Sequence, residues 1–124
     1  MKIFHGVVVE KSLKEGIVCE DLFKVISMHK SSSWGIKIVE LNEDEFDEKI
    51  SKLQECMDEG TWYEHFYNNS DNLVVVFKEK VFKISKSKDT WQEMLEYGKA
   101  LEIAEEQLNI FPLDFEDEEG YLNS

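Results

Sequence analysis

A chain of 124 residues, 42% of them hydrophobic and including eight Phe, four Tyr and three Trp, can bury one sizeable core, which excludes disorder as its ground state. Its 27 acidic side chains outnumber 14 basic ones, all lysine, for a formal charge of −13. Nucleic acid and anionic membranes need a basic footprint and are excluded as partners; a basic partner or plain solubility fits the sign.

Residues 3–10, IFHGVVVE, read as a first strand, β-branched and apolar. Lys11 to Gly16 should turn. Residues 17–29 stay open: Leu22, Val25 and Ile26 suit a short helix, whereas Ile17, Val18 and Cys19 suit an extended lead-in. Ser31 to Ser33 form a loop before a second strand over 34–41. Asn42 and Glu45 then make an approximate capping box, and Phe46, Ile50, Leu53 and Met57 recur at helical spacing, which predicts a helix over 43–58 followed by Gly60.

Three strands follow, over 61–67, 72–78 and 81–85, joined closely enough to make an antiparallel meander. Asp89 and Gln92 signal a second helix with Trp91, Met94, Leu95, Gly98 and Leu101 on one face, where Gly98 implies close approach to the sheet. A last helical turn over 104–108 precedes Pro112. The expected fold is α+β: a mainly antiparallel sheet of four to five strands with two main helices on one face. Residues 1–112 would form the single domain and 113–124 a mobile acidic tail, in which Phe115, Tyr121 and Leu122 leave open a docking role.

Cys19 and Cys56 lie in no paired motif, nothing at the start resembles a signal segment, and the longest apolar run, Leu73 to Phe77, is too short to cross a membrane. These features imply a cytoplasmic protein with reduced thiols.

The densest chemistry is GTWYEHFYNN, residues 60–69. Strand alternation puts Trp62, Glu64 and Phe66 on one face and Tyr63, His65 and Tyr67 on the other, so Glu64 and His65 cannot form an acid-base pair within the strand. Trp62 and Phe66 are expected to face the helices with Phe82 and Ile84. Tyr63, His65 and Tyr67 should then share the second face with Val74, Val76, Val81 and Lys83. Tyr63, His65, Tyr67 and Lys83 are the candidate binding residues. Their face is either a groove for a small ligand, a protein partner or a second copy of the chain, or a surface covered by residues 17–29.

His5, His29, His65, Cys19 and Cys56 have no metal-ligand spacing, and phosphate cradles, nucleophile elbows and dinucleotide fingerprints are lacking, so neither metal, cofactor nor catalytic residue is assigned. The acidic run Glu43 to Glu48 opposes the positive end of the first helix and needs no cation to explain it.

The strand with Trp62, Tyr63, Phe66 and Asn68, the hairpin with Phe77, Lys80, Val81, Phe82 and Lys83, and the helix with Tyr97, Gly98, Leu101, Ile103, Gln107 and Leu108 together resemble a family of small bacterial cytoplasmic proteins of unknown function. The resemblance spans roughly residues 61–112, and departs where Glu102 replaces Gly and Ala104 replaces Pro. It implies a bacterial origin and the strand, hairpin, helix order, and it carries no activity. The function expected from these features is a non-enzymatic binding or interaction module. The alternatives are a small hydrolase or metal-dependent enzyme assembled around His65, and an acidic inhibitor or immunity-like protein for a basic partner.

Overall fold

The computed structural model describes residues 3–29, 35–60, 62–108, 110 and 113–122. Six strands pair antiparallel throughout in the order β2-β3-β1-β4-β5-β6: β1 (Ile3–Val9), β2 (Lys24–Met28), β3 (Ile36–Asn42), β4 (Tyr63–Tyr67), β5 (Asn72–Phe77) and β6 (Val81–Ser85). The fold is α+β, with one more strand than the upper expectation. The extra strand comes from residues 17–29, where a short 3₁₀ turn over Cys19–Asp21 leads into β2 at the sheet edge. Exposed Ile26 and Met28, and a register irregularity between Val25 and Ser27, give β2 neither a clean helical nor a clean strand period.

Two core clusters occupy opposite faces of the sheet. On the first, Phe4, Val8, Val39, Leu41, Phe66, Val74 and Val76 pack against Phe46, Ile50 and Leu53 of α1 (Phe46–Cys56). The Asn42 amide donates to Glu45 Oε1 at 3.1 Å just ahead of this helix, one half of the expected capping box. α1 links β3 to β4, which flank β1, and so must cross over β1. The lead-in also covers this face with buried Leu13, Cys19 and Phe23, and Lys37 of β3 ties it down through Glu10 at 2.6 Å and Glu20 at 2.7 Å.

On the second face Val7, Ile38, Tyr67, Leu73, Val75, Phe77 and Phe82 pack against Trp91 and Met94, at and after the start of α2 (Gln92–Ala100), and against Ile103, Leu108, Ile110, Leu113 and Leu122. The helices therefore lie on both faces, not on one. Phe82 faces α2 and not α1, because Val75 pairs with His65 on one side and Phe82 on the other, placing these three side chains together. Gly98 meets Leu108 rather than the sheet: a Cβ there would lie 2.6 Å from Leu108 Cδ2. Just past α2, Glu102 takes a φ of +67°, the left-handed conformation glycine adopts without strain.

Residues 113–122, acidic enough to read as a tail, lie against the second face. Leu113 and Leu122 are buried, and α3 (Glu118–Leu122) follows a 3₁₀ turn over Phe115–Asp117. Among the described residues no helix is long and apolar enough to cross a membrane.

Candidate functional site

The second face is covered at both ends and open between. α2 covers the β5–β6 side, and the C-terminal segment covers the Tyr67 end. Between these covers a cleft of about 320 Å³ is lined by Val7, Val9, Ile36, Trp62, Tyr63, His65, Gln107 and Tyr121. β1 and β3 supply an apolar floor from Val7, Val9 and Ile36, and β4 supplies Tyr63 and His65 by alternation. The Tyr63 hydroxyl donates to the backbone carbonyl of Gln107, which fixes the segment after α2 at the rim.

His65 is buried, and among the described residues its Nε2 has no hydrogen-bond partner. Burial pushes the imidazole down to about 4, so the ring is neutral at physiological pH, offering one donor and one acceptor. Burial raises the Tyr63 hydroxyl to about 12, which keeps it protonated as a donor. A neutral imidazole with a buried, unsatisfied nitrogen in the wall of an apolar cleft carries an energetic cost, which a hydrogen-bonding group that reached that nitrogen would relieve.

Glu64 lies on the other face, as alternation requires. Its Oε1 accepts from the Val9 amide at 3.1 Å and the buried Ser12 hydroxyl at 3.0 Å, while Oε2 has no partner among the described residues. Burial raises this carboxyl to about 7, outweighing both hydrogen bonds. Glu64 thus closes the β1–β4 edge by substituting for ladder bonds, and it has no path to His65.

The four sequence candidates separate. Tyr63 and His65 line the cleft. Tyr67 is fully buried, and its hydroxyl donates to Glu118 Oε2 at 2.5 Å, so it anchors the C-terminal segment. Lys83 belongs to the opposite face, where it pairs with Asp47 of α1 at 3.2 Å. The expectation for Lys83 fails because β4 and β5 pair in a register that sets Tyr63, His65 and Tyr67 beside Phe77, Val75 and Leu73, not beside Val74 and Val76. The covering segment is likewise C-terminal and not residues 17–29, which lie on the α1 face.

Several residues at the site carry no sequence signal of their own. Val9, Ile36, Gln107 and Tyr121 complete the cleft only through tertiary packing. His5 directs Nδ1 to Glu118 Oε2 at 2.6 Å and Nε2 to Glu40 Oε2 at 3.3 Å, and Phe115 stacks on its ring at 3.7 Å. These contacts pin α3, and hence Tyr121, at the cleft wall. Glu118→Ala should orphan the Tyr67 hydroxyl at a cost of about 1–3 kcal/mol. Amide hydrogen exchange would then quicken over 113–122 while α1 keeps its protection; uniform quickening of both would contradict the anchoring role.

The thiols offer no nucleophile to the cleft: Cys19 is buried among core residues and raised to about 12 by burial, and Cys56 lies in α1 on the other face. Among the described residues no three His, Cys, Asp or Glu side chains converge to hold a metal ion. No family model, curated protein or solved structure matches the chain.

Proposed function

We propose that this protein is a non-enzymatic binding module, cytoplasmic and bacterial, that receives a small ligand in the cleft between β4 and the C-terminal segment. The observation that carries this reading is the unpartnered, buried His65 at the edge of a lined cavity. The cleft's size falls at the small end of ligand sites, about 300–1,000 Å³. Its lining combines apolar floor, aromatic wall and a few polar groups, the usual composition of such sites.

Catalysis has less support. His65 has no carboxylate within hydrogen-bond reach, and no Ser, Thr, Cys or Lys lines the cleft among the described residues. The thiols without disulfide partners, and the family resemblance, support the compartment and origin proposed.

Two variants test the reading. His65→Phe keeps the ring volume and removes both nitrogens, while Ile36→Phe fills the floor. Ligand-observed NMR against a mixed bacterial metabolite extract should give binding signals with the wild-type chain that both variants lose, with circular dichroism melts confirming that each folds. Signals that persist in both variants, or none with the wild type, would reject the cleft as the binding site.

A further inference from the structure

The lining of the cleft is selective in what it lacks. Among its described residues there is no Asp, Glu or Lys, in a chain where a third of all residues are charged. A charged group buried there would find no counterion, and the loss of hydration would go uncompensated. Trp62, Tyr63 and Tyr121 offer flat apolar surface, and Val7, Val9 and Ile36 a smooth aliphatic floor, which favours a planar body over a branched one.

Two polar groups orient whatever enters. His65 contributes a neutral ring whose buried Nε2 has no partner among the described residues, and Gln107 lines the rim, where its backbone carbonyl accepts from Tyr63. Other clefts in the molecule are charge-bearing, and two of them show the contrast. One is lined by Glu43, Asp47 and Lys83 beside Phe4 and Phe46, the other by Lys88, Glu105 and Glu106 beside Trp91, and among the described residues neither contains a buried side-chain polar atom without a partner.

From this lining, and resting on the cleft reading above, we infer that the ligand inserts an uncharged, planar aromatic group bearing both a hydrogen-bond donor and an acceptor, such as an aromatic carboxamide or a neutral heterocycle. The group lies against the aliphatic floor, and its polar edge meets His65. The overall negative charge further disfavours anions. Organic cations are the natural competitor, because aromatic walls attract them, but the cleft supplies no carboxylate to complete their solvation.

Three isosteric probes separate the possibilities: benzamide, benzoate and benzamidinium, which share one shape and differ in charge. Each is titrated into the ¹⁵N-labelled full chain at millimolar concentration. Benzamide should shift the amides of Val7, Tyr63, His65 and Tyr121, and both charged probes should bind at least tenfold more weakly. His65→Phe should weaken benzamide by about tenfold, and His65→Gln, which restores a donor and an acceptor, should recover part of that loss. Benzamidinium binding as tightly as benzamide would overturn the inference in favour of a cation site, while leaving the cleft as the binding site. Benzamide shifts that survive in His65→Phe, or their absence in the wild type, would overturn it also, and the metabolite-extract experiment then decides separately whether the cleft binds at all.

Discussion

Gly6→Ala should lower stability by about 3 kcal/mol, among the largest effects of any single methyl in this chain. Gly6 sits in β1 directly opposite Phe66 of β4, and the phenyl ring lies over the glycine: a Cβ would stand 2.2 Å from Phe66 Cδ2. The ring cannot simply swing aside. Phe23 and Phe46 pack against it with centroids at 5.7 and 5.8 Å, and all three rings are buried. Urea unfolding of Gly6→Ala, Phe66→Leu and the double variant checks the cause. Trimming the ring should relieve the clash, so the double variant should lose clearly less than the sum of the singles. Strict additivity would mean that the penalty arises elsewhere in β1.

Glu64 and His65 should give stability an unusual pH profile. Glu64 is raised from 4.5 to about 7, so the native state holds a proton that the unfolded chain has released, and its contribution is lost as pH rises through that window. His65 is lowered from 6.5 to about 4, so its contribution is lost as pH falls from 6.5 toward 4. The two slopes oppose each other between 4.5 and 6.5, where the wild type should be nearly flat. Above this range Glu64 acts alone and stability should fall.

Glu64→Gln mimics the protonated carboxyl and abolishes that loss. Its stability relative to wild type should improve by about 3 kcal/mol between pH 4.5 and pH 8, read from denaturant midpoints at each pH. His65→Phe should do the converse and remove the loss on the acid side. If Glu64→Gln and wild type ran parallel across this range, the carboxylate would be solvated in the native state and the β1–β4 edge open.

The parts of this fold that sequence pattern reveals are those whose period is decided locally. Phe46, Ile50, Leu53 and Met57 announce α1 because one helical stripe meets one core, and all four are buried. The alternation of β4 correctly separates Glu64 from His65 because side chains in a strand have nowhere else to point. The uninterrupted run Leu73 to Phe77 also held a signal for the two-faced architecture, since a strand apolar at every position is one covered on both sides.

What could not be read depends on pairing between distant segments. The side of the sheet to which Lys83 belongs turns on a one-residue difference in how β5 closes on β4, and the polar loop Asn68 to Asp71 is compatible with either. β2 lacks a pattern because an edge strand half in water has no face to bury. The acidic C-terminal segment conceals its role through composition: charge dominates its average, yet Leu113, Phe115 and Leu122 dock while the Glu118 carboxylate serves as the acceptor for both His5 and Tyr67. Of the eight residues lining the cleft, Tyr63 and His65 were legible from one strand, and the Gln107 and Tyr121 side of it came from segments 40 or more residues away.

The central claim is that binding takes place in the His65 cleft, and chemical-shift mapping of a diverse fragment set on the ¹⁵N-labelled wild-type chain tests it most directly. The account predicts that the perturbed amides cluster on Val7, Val9, Ile36, Tyr63, His65, Gln107 and Tyr121. Fragments that leave these residues unmoved and gather instead around Trp91, Leu95 and Leu108 would contradict it.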